Sequence, residues 1–325
     1  MREITPFELL QQASMAFLLS RSLQLIAESA VADALGEEPA TAATLAEATG
    51  LHAQALSRLL NLLAAHGIFD QRDGRFAHNT ASRMLRTDHP GSVRSPIRLL
   101  GLPIIWKAVQ NLDQAIKTGM VNPHEFWNGL EASSHASQIF NDAMTAKASA
   151  QIVATVAAYD FTQFGLIGDI GGGKGHLLRA ILTASRTSKG VLFDLPHVIG
   201  SAASMASDRV TLCPGDFFRD ELPACDAYLL MEVIHDWADE ESRMILKAVR
   251  RAAPGHAKLL LIEALMPNEP GPSSTKTMDI LMLSLFGGSQ RTSAEYQTLL
   301  VDSSFRLERI IDIGAGVSIV EASVA

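Results

Sequence analysis

From Gly165 to the C-terminus the sequence alternates between short apolar runs and amphipathic segments, and this rhythm leaves few choices of fold. The strand candidates are Leu166–Ile170, Gly190–Phe193, Val210–Cys213, Ala227–Val233 and Lys258–Ala264. A last pair, Leu307–Ile313 and Val317–Ala322, is parted only by Gly314-Ala315-Gly316, which suits an antiparallel hairpin. Helical spacing fills the gaps, as from Glu240 to Ala252, where Met244, Ile245, Leu246 and Val249 are expected to face a sheet. Parallel strands need crossover connections of this length, so the pattern predicts a doubly wound, mostly parallel α/β sheet of seven strands.

The first hundred residues read differently. Phe7 to Leu35 is apolar on nearly every side, the mark of a helix buried all round, here by a second copy of the chain. Thr41 is placed to cap a short helix that Gly50 ends, and a second helix runs from about His52 to Ala65. Ile68-Phe69, a turn at Arg72-Asp73-Gly74 and Phe76-Ala77 make a small hairpin, completing a winged-helix outline. A DNA reader needs basic residues on its recognition helix and wing. Residues 1–100 hold 9 Lys+Arg against 10 Asp+Glu, and the second helix carries only Arg58, so the outline points to dimerisation rather than to nucleic acid. A middle stretch, about Pro103 to Ala158, is predicted helical and carries the aromatics Trp106, Phe126, Trp127 and Phe140. The expected division is 1–100, 101–158 and 159–325.

Apolar residues make up 47% of the 325 and charged residues only 19%, which excludes a disordered chain. The formal charge of −8 disfavours phosphate backbones and anionic membranes and favours a cationic ligand. Cys213 and Cys225 are the two cysteines; without a CxxC or Cys/His cluster they make neither a disulfide framework nor a zinc site, so a cytoplasmic setting is expected. Glu3 and Glu8 argue against a secretory leader, and no window offers 18 uncharged apolar residues for a membrane span.

The sharpest local motif is Asp169-Ile170-Gly171-Gly172-Gly173-Lys174-Gly175, between the first strand of the alternating region and a helix starting at His176. Glycines there let backbone amides approach a ligand at a helix N-terminus. A dinucleotide fingerprint, G-x-G-x-x-G, fails because its third glycine would be His176 or Leu178. A phosphate-binding loop, G-x-x-x-x-G-K-[ST], fits Gly168 to Lys174 but has Gly175 where a hydroxyl should hold magnesium. An acid followed by Gly171, Gly173 and Gly175 suits S-adenosylmethionine, a sulfonium cation without a pyrophosphate. Asp194 ends the second strand 23 residues after Gly171, within reach of a ribose diol. Asp216-Phe217 follows the third strand and offers an acceptor for an adenine amine beside a ring to pack on its face.

Gly168-to-Gly175, Phe193-to-Val198, Pro214-to-Phe218, Ile234-to-Glu240, Glu263 before Pro267, and Gly287-to-Thr292 fall in the order and spacing of one family. The chain resembles the plant-type S-adenosylmethionine-dependent O-methyltransferases and their microbial relatives in secondary metabolism. The resemblance implies a Rossmann-like class I methyltransferase domain behind a mainly α, winged-helix-like dimerisation domain, in a homodimer. It implies that Asp169, Gly171, Gly173, Asp194, Leu195, Asp216, Phe217, Met231 and Trp237 bind the cofactor. It makes His235 the general base on the acceptor, steadied by an acid at Glu263 and by the residue at Gln290. Phe140, Met144, Leu281 and Leu285 are expected to line a pocket for a flat, hydrophobic, phenolic acceptor. No Asp/Asn/His set suggests the magnesium site of catechol-type enzymes.

Two positions depart from the family. Gln290 stands where a second acid is common; its amide is expected to hydrogen-bond the imidazole without lending it charge. Met231 stands where plant members carry a cofactor-contacting lysine. Some relatives keep the fold and cofactor yet decarboxylate, hydroxylate or run pericyclic steps, so a non-methylating reaction on a natural product stays an alternative reading.

Overall fold

Thr5 opens the first helix, α1 (Pro6–Glu28), with a reciprocal cap: its hydroxyl accepts the Glu8 N–H at 3.2 Å, and the Glu8 carboxylate accepts the Thr5 N–H at 2.9 Å. The computed structural model describes residues 4–119, 121, 122 and 124–325, His124 by its backbone alone; Glu3 and positions 120 and 123 of the middle stretch lie outside them. The helix expected from Phe7 to Leu35 is broken. Ala30 adopts a left-handed φ of 53°, and a short α2 (Val31–Ala34) follows. The break brings Val31 and Leu35 into the same core as Ile26, and burial of these side chains outweighs the ~1–2 kcal/mol strain of the turn. The outer half of α1 is bare in the single chain: Phe7 is 73% exposed, Leu10 71% and Phe17 54%.

Next come β1 (Ala40–Thr41), α3 (Ala42–Thr49), α4 (Ala53–Ala65), β2 (Asp70–Arg72), β3 (Arg75–Ala77), α5 (Thr80–Arg83) and α6 (Arg94–Leu100). Thr41 caps α3 and left-handed Gly50 ends it, as their residue types predict. The second wing strand lies where expected, but the first starts at Asp70 rather than Ile68, with Phe69 buried among Leu56, Leu60 and Phe76. A third strand, β1, pairs antiparallel with β3; two residues are too short to show any period.

Next come the helices α7 (Pro103–Gln110), α8 (Leu112–Thr118), α9 (His124–Glu131) and α10 (Ser134–Ala158). The chain divides into two compact units, Met1–Lys107 with Trp127–Lys147, and Ala108–Phe126 with Ala148–Ala325. The aromatics of this stretch are shared out. Trp106 donates to Gln24 and Trp127 meets Phe140 edge-on in the first unit, whereas Phe126 packs edge-on against Phe286 in the second.

The second unit continues with β4 (Leu166–Ile170), α11 (His176–Ala184), β5 (Lys189–Asp194), α12 (Pro196–Ser201), β6 (Val210–Pro214), β7 (Ala227–Met231), α13 (Asp239–Ala252), β8 (Lys258–Glu263), α14 (Ser274–Phe286), α15 (Ser293–Asp302), β9 (Phe305–Asp312) and β10 (Ser318–Val324). The sheet order is β6-β5-β4-β7-β8-β10-β9. The first five strands are parallel, and β10 runs antiparallel to both β8 and β9. On α13, Ile245, Leu246 and Val249 are fully buried, but Met244 is 47% exposed, a correction to the expected face. It sits a hundred degrees round the helix from Ile245, beyond the edge of the buried stripe. Reversal of order at β4 opens a crevice at the carboxyl ends of the parallel strands. Asp169, Asp194, Asp216, His235 and Glu263 all lie on or just past those ends.

Candidate active site

The glycine loop leaves β4 through Gly171, at φ 69°. A Cβ there would sit 3.1 Å from Val233 Cγ2, a tight approach, and the left-handed φ itself favours glycine. The Gly171 N–H donates to the Phe193 carbonyl at 2.8 Å, tying the loop to β5. Asp194 is held from both sides. Its Oδ2 accepts the Gly173 N–H at 2.8 Å and its Oδ1 the Leu195 N–H at 2.7 Å, which leaves a lone pair on each oxygen for a ligand diol. Burial holds this carboxyl above the usual range, against those two hydrogen bonds.

Asp169 is only 1% exposed, and its Oδ2 has no hydrogen-bond partner among the described residues. Burial first, then the Asp194 charge, push its carboxyl up to about 7. A buried acceptor left open beside a second acid, with clear space over Gly173, fits a ligand that brings cationic or N–H groups. The Asp216 Oδ1 accepts the Phe218 N–H at 2.9 Å, and its Oδ2 lies 3.5 Å from Arg219 Nε. Phe217, Phe218 and Trp237 form an edge-on aromatic cluster with centroids 4.7–6.0 Å apart. The loop, the acids and the aromatic wall thus occupy one region, with exposed Leu195 and half-buried Met231 at its margins.

His235 lies in a 3-10 turn just after β7 and is 5% exposed. Its Nδ1–H donates to Glu263 Oε2 at 2.7 Å, while Glu263 Oε1 accepts the Ile234 N–H at 2.8 Å. Both oxygens of a fully buried carboxylate are therefore used, one to orient the ring and one to hold the turn that carries it. Nε2 faces Asp236 Oδ1 at 3.3 Å. Burial pulls the imidazolium down, but Glu263 above all, then Asp236 and Glu232, reverse this and push its pKa up to about 9.

Gln290 is buried near the same turn, with its N–H donating to Asp279 Oδ1 at 2.7 Å. Among the described residues no hydrogen bond joins its side chain to His235, and its Oε1 is buried without a partner, so the expected amide–imidazole bond is absent. Its neighbours hold the turn instead. A Cβ at Gly288 would overlap the His235 carbonyl oxygen. The 3%-exposed Arg291 donates to the carbonyls of Ile234 at 3.1 Å and Trp237 at 2.9 Å, and to Asp239. Sequence reasoning missed this clamp, since 57 residues separate Arg291 from Ile234. Leu285 is buried and Leu281 half-buried on α14 in the second unit; Phe140 and Met144 are half-buried on α10 in the first.

Comparison with known proteins names the arrangement. Residues 108–306 match the O-methyltransferase domain and residues 11–88 the O-methyltransferase dimerisation domain. The chain is 36% identical over 315 residues to the mitomycin biosynthesis 6-O-methyltransferase of Streptomyces lavendulae, covering 93% of this chain and 90% of that one. It is 34% identical to the phenazine O-methyltransferase of Lysobacter antibioticus, covering 97% and 95%. An O-methyltransferase of neocarzinostatin biosynthesis, solved with S-adenosylmethionine and 2-hydroxy-5-methyl naphthoic acid, superposes with a TM-score of 0.81 at 31% identity, covering 94% of this chain and 96% of that one. With its glycine loop, strand-end acids and two matched domains in order, the chain belongs to the S-adenosylmethionine-dependent O-methyltransferase family.

Proposed function

We propose that the enzyme methylates a phenolic hydroxyl of a hydrophobic aromatic small molecule, with His235 as general base and Glu263 as its orienting partner. The observation that carries this reading is the double use of Glu263, on the His235 Nδ1–H and the Ile234 N–H. Holding the proton on Nδ1 leaves Nε2 as the nitrogen that can take one from a hydroxyl. A phenol titrates near ~10 and an ordinary imidazole near ~6.5, so transfer between them is strongly uphill. Raising the ring to about 9 brings the two close. The buried Glu263 then stabilises the imidazolium that forms, and Asp236 can accept its Nε2–H.

Asp194, Asp216, Asp169, the Gly171–Gly175 loop and the Phe217–Trp237 wall would hold S-adenosylmethionine; when bound, it supplies a methyl group activated by a sulfonium. Leu281 and Leu285 offer an acceptor an apolar wall, and the naphthoic acid bound by the neocarzinostatin relative supports a flat aromatic one. The bare face of α1, within a chain that carries the family's dimerisation domain, supports a homodimer joined through these helices. Among the described residues no helix is long and apolar enough to cross a membrane, and the free thiols Cys213 and Cys225 support a reducing, cytoplasmic setting.

The test is His235→Ala, assayed with methyl-labelled cofactor and a panel of phenols. Transfer should fall on the order of 10²-fold or more, while calorimetry shows unchanged affinity for S-adenosylhomocysteine. A near-native rate at neutral pH would end the base assignment.

A further inference from the structure

We propose that Glu232 and Gln151 form a recognition site for an alkylammonium group beside the glycine loop. Glu232 follows the last residue of β7 and takes a left-handed φ of 53°, one of five non-glycine residues that do so among the described residues. Such a backbone costs on the order of 1–3 kcal/mol and survives where the surroundings demand it. Here its N–H donates to the Ile262 carbonyl at 2.9 Å, so Glu232 keeps the pairing of β7 with β8 while its left-handed turn redirects the chain. The next residue, Val233, is the one that packs against Gly171. Glu232 thus stands in the chain one residue before the side chain that meets Gly171 and three before His235.

The second observation is Gln151, on α10 in the same unit and 5% exposed. Its Nε2 donates to Glu232 Oε1 at 3.3 Å, and its own Oε1 is buried without a partner among the described residues. The amide oxygen belongs to the same small group as the nitrogen on Glu232. The structure therefore brings two acceptors, one charged, close together, and one of them is unsatisfied. A buried polar atom without a partner is rare in a folded protein and calls for a ligand. An ammonium has three donors and no acceptor, so one group can serve both oxygens; a hydroxyl or a carboxylate cannot. The chain's net charge of −8 attracts such a cation.

The ammonium has two possible sources, the α-ammonium of the cofactor's amino-acid tail or an amine on the acceptor. The first rests on the cofactor reading and the second on the acceptor reading given above. Calorimetry on the full-length protein separates them, using S-adenosylhomocysteine, its analogue with the α-ammonium replaced by hydrogen, and then tyramine against 4-ethylphenol at saturating S-adenosylhomocysteine. If the tail is the occupant, Glu232→Gln weakens S-adenosylhomocysteine at least tenfold and leaves the deaminated analogue unchanged. If the acceptor is, S-adenosylhomocysteine holds its affinity while tyramine loses its advantage over 4-ethylphenol. Gln151→Leu, which removes the open oxygen, should repeat whichever differential is found. Equal losses for ligands with and without the ammonium, or no loss at all, in variants that unfold at the wild-type temperature would overturn the proposal. A wild-type protein that binds no S-adenosylhomocysteine would sink the cofactor reading along with the first source.

Discussion

Glu263→Gln removes one charge from the site and almost no volume. In the wild-type chain burial works against the His235 imidazolium, and Glu263, Asp236 and Glu232 together lift it from an ordinary 6.5 to about 9. That difference is worth on the order of 3 kcal/mol in favour of the charged ring. Glutamine keeps one acceptor oxygen where the carboxylate had two, so either the His235 Nδ1–H or the Ile234 N–H goes unmet, a further ~1–3 kcal/mol. The acid limb of kcat/KM should therefore move down from near 9, and the plateau rate should drop roughly tenfold or more. Stability follows the same pair. A ring whose folded pKa exceeds its unfolded one stabilises the fold fully below about 6.5 and loses that contribution as pH rises through about 9. Between pH 6 and 9.5 the wild type should lose on the order of 3 kcal/mol of unfolding free energy, and Glu263→Gln should lose less. Denaturant titrations at the two pH values, with the imidazole followed by NMR, read both effects. A limb that stays near 9 in the variant would refute the assignment of the shift to Glu263.

Asp194→Ala takes the shared acceptor from the Gly173 and Leu195 N–H groups and from any ligand diol, so calorimetry should show S-adenosylhomocysteine bound at least tenfold more weakly. Gly288→Ala forces a Cβ into the His235 carbonyl oxygen; it should cost about 1–3 kcal/mol in chemical denaturation and cut methyl transfer well below wild type. Leu10→Asp with Phe17→Asp charges the bare face of α1, and light scattering should fall from about twice 34.9 kDa to a single chain, while circular dichroism is kept.

Much of the site was legible because parallel α/β folds place their ligand residues at strand ends, and strand ends are local features. Asp169, Asp194, Glu263 and the turn at His235 lie where the short apolar runs stop or just before, and the structure gathers them at the carboxyl ends of the parallel strands. The glycine spacing likewise anticipates Gly171, whose left-handed backbone and missing Cβ let Val233 approach closely. The three-stranded wing was half legible. Phe69 reads as strand by composition, yet packing against Leu56 and Leu60 drew it into the core.

By itself the sequence determined what depends on neighbours along the chain: helix caps at Thr41 and Gly50, the order of strands and helices, and the types of group waiting at each strand end. Tertiary structure alone decided the state of those groups, because protonation and hydrogen bonding depend on what distant segments bring close. Nothing local to His235 signals that Glu263, 28 residues on, spends one oxygen on its ring and the other on its turn. Nor does anything near Gln290 show that its amide misses the imidazole while Arg291 clamps the same backbone. The pairing of Gln151 with Glu232 spans 81 residues, and it exists only because α10 passes beside the end of β7. Periodicity reports which face of an element is buried; only the fold reports which groups share the buried space.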